Sequence, residues 1–299
     1  MDKKRSWACT LAVQVFLCIA TYISLNLGEP HNFIYHSGDG STSIRPVDAY
    51  FLSVRGGYRS IKRQTHLLKL MENVAKAYKA KFVVNISELG EEDPLTRNAS
   101  GLFSSMNISW YTTRASKGSK VDCFLKQINV THGKMLTVSG LDTKSLQDLM
   151  LAGSTSSFGN NESNWLTQTL EAATESWLMV VGYDPVVVCE EKEEQTEAQQ
   201  LYEPLHHIFL KYGVNVYLST QGCVNHTFQG GVAYIGIADP NKSKPYEASL
   251  NGSSAFQGEM DDGFLLHRVG SLEIATYFVT SRGEVVYKNL IQQGGKEIM

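Results

Sequence analysis

Apolar positions along the chain recur with two different periods, and the alternation between them outlines the fold. The run VDAYFLSVR, Val47 to Arg55, is apolar almost throughout and predicts a buried strand. Over Ser60 to Ala80 the spacing changes: Leu67, Met71, Val74 and Tyr78 fall on one face at helical intervals. KFVVNI, Lys81 to Ile86, predicts the next strand. The following stretch, with PLTRNASGLFSSMNISWYTTRASKGSK, keeps no sustained period and is expected to be irregular. A helix is predicted over Asn161 to Ser176, where Trp165, Leu166, Leu170 and Ala173 are apolar, then a strand at WLMVVGY. A further helix is predicted from Gln195 to Gly213, stopped by the glycine, followed by the strand VNVYLS.

The pattern then loses its helices. GGVAYIGIA, DGFLLHRV, SLEIATYFVT and GEVVYKNL read as short strands separated by turn residues, an antiparallel end to the sheet. βαβ units followed by hairpins predict an α/β protein, a mixed β-sandwich flanked by helices, in one domain over residues 46–299.

The N-terminus departs from this plan. Lys3, Lys4 and Arg5 precede an apolar segment from Trp7 to Leu27, interrupted by Gln14, Thr21, Ser24 and Asn26. Residues 1–27 are therefore expected to be a signal peptide or signal anchor, with the basic start cytosolic and the rest lumenal. The polar, glycine-rich residues 28–45 read as a linker. N-x-S/T occurs at Asn85, Asn98, Asn107, Asn129, Asn161, Asn225, Asn241 and Asn251, which behind such a segment predicts a glycoprotein of the secretory pathway. It is expected to be secreted, or a type II membrane protein held through Trp7 to Leu27. Its partner is expected to be a protein or glycan.

Composition narrows the chemistry. A formal charge of -3 and a pI near 6.2 leave no electrostatic footprint for nucleic acid. Beyond Cys9 and Cys18, only Cys123, Cys189 and Cys223 remain: enough for one disulfide with one cysteine left over, and without the C-x-x-C spacing of a zinc site.

Four strand-ending loops carry the remaining signal: SVRGGYR (Ser53 to Arg59), NISELGEED (Asn85 to Asp93), VVGYDP (Val180 to Pro185) and LSTQGCVNH (Leu218 to His226). Taken with SWYTT, GGVAYIGI and DGFLLHRV, their order resembles the calcineurin-like metallophosphoesterases, most of all the small animal- and plant-type purple acid phosphatases. The resemblance runs from about Asp48 to Tyr287 and implies a four-layer αββα sandwich. For an intact member it also implies phosphomonoester hydrolysis at a binuclear centre of iron with zinc, manganese or iron.

The ligand positions have departed from that pattern. Gly56 stands where the resemblance implies an iron-binding Asp; Glu88 and Leu89 stand where it implies a bridging Asp and an Asn; Glu91 replaces the Tyr. Ser116 and Lys117 fall near the expected metal-binding Asn and substrate-facing His. Tyr183 and Asp184 occupy the G-H-H/Y-P loop, and Gln221 and Cys223 the G-H-D-H loop. Two-metal hydrolysis needs several His, Asp, Asn or Tyr donors on each cation. No His survives, so no cofactor is expected and the chain reads as a catalytically inactive homologue with a binding or regulatory role. The alternatives are an active phosphoesterase with an altered metal site and a membrane-anchored structural contact protein.

Other features weigh less. Glu88 and Asp184, with Glu91, Glu92 and Asp93, form the one oxygen-rich set for calcium or magnesium, though acidic loops are most often solvated. The acidic CEEKEEQTEAQQ reads as a solvated helix start that would repel a phosphate ester. Arg55 and Arg59 read as surface residues. Of His206 and His207, one is expected at the core edge and one in solvent. Cys223 beside His226 lacks a third orienting group, so a structural cysteine is expected rather than a nucleophile.

Overall fold

The computed structural model describes residues 13–17, 48–103, 107–113, 123–130, 134–143, 157–173, 177–190, 198–201, 203–220, 227–237, 245–248, 256–259 and 262–292. The chain divides into two compact units, Met1–Pro46 and Val47–Met299. In the first, residues 13–17 are helical. Among the described residues no helix is long and apolar enough to cross a membrane. The linker expected over residues 28–45 lies outside the described residues.

The second unit holds two six-stranded sheets. In the first, β1 (Ala49–Arg55), β2 (Phe82–Ile86) and β3 (Ser109–Thr112) run parallel. The antiparallel strands β14 (Gly263–Val269), β15 (Glu273–Thr280) and β16 (Val285–Gln292) extend it beyond β1. In the second, β5 (Met135–Gly140), β6 (Trp177–Val181), β9 (Val216–Ser219) and β11 (Val232–Gly236) are parallel. Its antiparallel edges are β4 (Phe124–Asn129) and β10 (Thr227–Gln229). The hairpin β7 (Val187–Glu190) with β8 (Ala198–Leu201) and the pair β12 (Pro245–Ala248) with β13 (Phe256–Glu259) stand apart.

The sheets face each other across one core. Phe51, Phe82, Val84, Leu265 and Phe278 of the first pack with Leu136, Trp177, Met179, Val216 and Ile235 of the second, all buried. Trp177 ties the layers by donating its Nε1–H to the Gly270 carbonyl at 2.9 Å. Within this core the ring of His267 stacks on Phe51, centroids 4.4 Å apart. Its nitrogens bond Ser53 Oγ at 2.7 Å and Thr276 Oγ1 at 2.9 Å. Burial lowers its pKa from 6.5 to about 3, so it is a neutral core residue.

Helices cover both outer faces. The helix α1 (Ile61–Tyr78) buries Leu67, Leu68, Met71 and Val74, and its Tyr78 ring meets Tyr50 of β1 at 5.1 Å. α2 (Pro94–Phe103) sets Phe103 edge-on against Trp110 of β3 at 5.1 Å. On the second sheet, α3 (Ser157–Ala172) and α4 (Glu203–Tyr212) bury Leu166, Leu170, Leu205 and Phe209 against Leu178, Val180 and Tyr217. The architecture is the mixed, helix-flanked sandwich expected, in four αββα layers.

Several expected elements are corrected. The irregular stretch after Ile86 contains α2, whose Leu95, Ala99 and Phe103 recur every fourth residue and are buried. The helix expected from Gln195 starts instead at Glu203, and residues 198–201 are a strand. Of the acidic stretch, residues 189–190 and 198–200 lie on strands, and residues 191–197 are outside the described residues. β11 pairs antiparallel with β10 but in parallel with β9, which ties it into the parallel part of the second sheet.

Candidate functional site

The carboxyl ends of β1, β2, β3, β5, β6 and β9 are where ligands sit in open α/β sheets. Their loops are joined here by side chains. After β1, the Gly56 amide bonds the Ile86 carbonyl at 2.9 Å, holding the loop beside the end of β2. Gly57 turns the chain at a φ of 108°, a left-handed conformation that favours glycine. Its amide donates to Asp93 Oδ2 at 2.7 Å.

Asp93 is the hub of this half. Its Oδ2 also accepts from Ser87 Oγ at 2.5 Å, and its Oδ1 from the Leu95 amide at 2.8 Å, which caps the first turn of α2. Ser87 Oγ in turn accepts from the Leu89 amide at 3.1 Å, and Thr113 Oγ1 from the Ser87 amide at 3.2 Å. Asp93, Ser87 and Thr113 are all buried. This packing leaves no room for a side chain at Gly56: a Cβ there would lie 2.5 Å from Asp93 Oδ2, 2.6 Å from Ser87 Cβ and 2.7 Å from Asn85 Oδ1.

The other half uses no charged hub. Tyr217 donates its hydroxyl to the Asp184 carbonyl at 2.6 Å, and Thr220 Oγ1 donates to the Tyr183 carbonyl at 2.7 Å. Thr143, just past β5, accepts from the Asp184 amide at 2.9 Å and donates to Asp184 Oδ2 at 3.2 Å. Burial and the nearby Asp184 carboxylate raise the Tyr217 pKa well above its ordinary value. Arg55 bridges the halves, its Nη1 donating to the Thr220 carbonyl at 2.7 Å.

The positions singled out in the sequence fall unevenly on this frame. Gly56, Tyr183 and Asp184 line it, whereas Glu88 and Glu91 are exposed and Leu89 is half-buried. On the β1–β2 side the buried carboxylate is Asp93, five residues past Glu88. Ser116, Lys117, Gln221, Cys223 and His226 lie outside the described residues. Among the described residues no three His, Cys, Asp or Glu side chains converge as metal ligands.

Two arginine expectations are corrected. Arg55 is half-buried and bonded across the sheets. The Arg59 side chain is buried in a two-pronged pair with Asp262, at 2.7 and 2.9 Å. Their partners lie 165 and 203 residues away, which local sequence does not reveal. Of the histidines, His206 is buried and bonds Tyr234 OH at 2.6 Å while His207 is exposed.

The sequons also sort. Asn85 is fully buried, with Nδ2 donating to Thr96 Oγ1 at 2.8 Å, so the folded protein leaves no path for a glycan there. Asn98, Asn107 and Asn129 are exposed, and Asn98 also donates to Gln64 Oε1 at 2.6 Å. Asn161 lies in α3, while Asn225, Asn241 and Asn251 are outside the described residues. Cys123 is half-buried at the edge of the α3–α4 core, Cys189 is on β7, and Cys223 is not described.

Among solved structures, the chain is similar to GAP50, the anchor in the inner membrane complex of Plasmodium, with a TM-score of 0.59 and 18% identity over 84% of this chain and 90% of that one. A predicted phosphoesterase from Streptococcus pneumoniae matches with a TM-score of 0.37 and 9% identity over 82% of this chain and 98% of that one. Vps29 of Chaetomium thermophilum matches with a TM-score of 0.38 and 11% identity over 82% and 100%. No family model and no curated protein matches the sequence.

Proposed function

We propose that this protein is a catalytically inactive homologue of the purple acid phosphatases, a glycosylated lumenal or secreted protein that acts by binding a protein or glycan partner. The observation that carries this reading is the carboxylate of Asp93 packed against Gly56. The space in which a metal-binding Asp side chain would extend is filled, and Asp93 itself is committed to three donors of its own chain. Glu88, the remaining carboxylate in a family ligand position, points to solvent. This donor set does not fit a binuclear iron, iron–zinc or iron–manganese centre, which needs several convergent nitrogen and oxygen ligands.

The test is elemental analysis of the purified, glycosylated full chain for iron, zinc, manganese and calcium, with turnover of an aryl phosphate measured on the same sample. Substoichiometric metal and no turnover are expected. One or two tightly held metals with turnover abolished by Glu88→Ala would make the protein an active phosphoesterase with an altered site.

A second reading, a membrane-anchored contact protein, is supported by the fold shared with the Plasmodium anchor protein and by the apolar Trp7 to Leu27 segment. It expects the purified mature chain to begin before Trp7 and to partition with membranes.

A further inference from the structure

The outer face of α1 is charged in a way the rest of the chain is not. Between Ile61 and Lys81 there are six Lys or Arg and one Glu, a surplus of five positive charges in a chain whose formal charge is -3. Lys62, Arg63, Lys69, Lys76, Lys79 and Lys81 are all exposed. Lys62, Lys69 and Lys76 follow one another at seven-residue intervals, two helical turns apart, and so form a line of about 21 Å down the middle of the solvent face. Among the described residues, Lys76 pairs with Glu72 at 2.6 Å, and none of the other five has an acidic partner. A row of like charges with one counter-charge, Glu72 beside Lys76, favours an anionic partner.

The same face carries apolar surface at one end. Ile61 is 80% exposed and Tyr58, in the preceding loop, is 75% exposed. Both are mounted rigidly: the buried Arg59–Asp262 pair lies between them, and Gln64 Nε2 bonds the Arg59 carbonyl at 2.9 Å. An aliphatic and an aromatic side chain held out in water beside a basic row offer an apolar anchor next to an electrostatic guide, the composition of a protein interface.

We infer that the solvent face of α1, with Tyr58 and Ile61, is the docking surface for an acidic segment of a partner protein that ends in an apolar side chain. A bilayer fits less well: between the lysines this face shows Thr65, His66, Asn73 and Ala77, so apolar side chains are confined to one end instead of running along the helix. A sulfated glycan would answer the lysines but offers no apolar partner for Ile61. The basic row runs along α1 and, although Tyr58 closes the β1 loop, the inference uses neither Gly56 nor Asp93, so it stands or falls separately from the loss of catalysis.

Binding of the full-length protein to four probes tests it: a glutamate–tyrosine copolymer, polyglutamate, heparin, and phosphatidylserine vesicles, each at low and physiological salt. The copolymer should bind most tightly and weaken with salt. Lys62→Glu/Lys69→Glu/Lys76→Glu should reduce its affinity about tenfold or more, as reversing guiding charges does. Tyr58→Ser/Ile61→Ser should remove the preference for copolymer over polyglutamate. The corresponding triple Gln variant, which only neutralises the row, should fall between wild type and the Glu triple. Unchanged copolymer binding in both triple variants would overturn the inference. Tighter binding of heparin or of vesicles, with the same dependence on the lysines, would also overturn it and assign the face to a glycan or a membrane.

Discussion

The two halves of the strand-end site are closed by opposite means. On the β1–β2 side a single buried carboxylate, Asp93, collects donors from Gly57, Ser87 and Leu95 and fills the space beside Gly56. On the β6–β9 side the loops meet through neutral hydroxyls, those of Tyr217, Thr220 and Thr143, bonded mainly to main-chain groups. A charged hub concentrates the stability of its loops in one residue, because every donor left behind is buried without a partner when it goes. Dispersed neutral bonds spread the same work, so each is worth little alone. One half is thus organised around a buried acid that gathers donors, and the other around hydroxyls, with the Asp184 carboxylate accepting from Thr143 at its side.

The sharpest way to break this contrast is Gly56→Asp, which puts back the residue the family resemblance implies. The new side chain would have to enter space held by Asp93 Oδ2, Ser87 Cβ and Asn85 Oδ1, and would place a second carboxylate beside the first. Overpacking with an uncompensated buried charge should cost at least about 3 kcal/mol in urea denaturation, with no gain of bound iron or zinc. A variant as stable as the wild type would mean that Asp93 moves aside readily and is no hub. Next in size, Asp93→Ala should cost about 2–3 kcal/mol through the lost helix cap and the stranded Gly57 and Ser87 donors. Asp93→Asn, which retains acceptor capacity, should cost less.

A pH titration tests the core behind the β1 loop. His267 bonds Ser53, two residues before Arg55, and stays neutral in the folded state down to about pH 3, whereas unfolded it titrates near 6.5. Between those values the unfolded chain binds a proton that the folded chain refuses. Stability should therefore decline as pH falls below about 6.5, with His267 supplying up to about 1.4 kcal/mol per pH unit. His267→Gln should flatten this acid limb, and an unchanged limb would remove His267 as its source.

How much of this could be read beforehand follows from how local each signal is. α1 and the strands β1, β2, β6, β9, β11, β14, β15 and β16 were legible because apolar runs and helical spacing lie within single segments, whereas β4 and β5, with polar residues between the apolar ones, were not. The boundary of α4 was misread because Gln, Glu and Ala upstream are good helix formers. Pro204, whose ring suits the first turn of a helix, was the better marker of its start. α2 was hidden by Asn98, Ser100 and Gly101, which weaken helix propensity; the Leu95, Ala99, Phe103 spacing behind Asp93 was the available sign. The strand-end loops could be aligned in series with the family they resemble, and each departure from its pattern was legible residue by residue. What filled the space was not, because Asp93 comes from beyond the slot that Glu88 occupies. The partners of Arg55 and Arg59 are separated from them by most of the fold.

The smallest expected effect belongs to the neutral half and is the strictest check on the contrast. Tyr217→Phe removes one hydroxyl from the Asp184 carbonyl and keeps the ring packed, tilted, between Phe209 and Tyr234. If the bonds on this side are dispersed, the loss should be about 1 kcal/mol, the worth of one hydrogen bond, and far below that of Asp93→Ala. Alkaline titration gives a second readout. Because the folded-state pKa of Tyr217 is raised, the stability it supplies is intact below pH 10 and declines as pH rises above that value. The phenylalanine variant should lose part of this alkaline limb while Tyr50 and Tyr78, each raised to about 12, maintain the rest. A loss as large as that of Asp93→Ala would show that Tyr217 is a hub in its own right, and that both halves of the site rest on a single side chain.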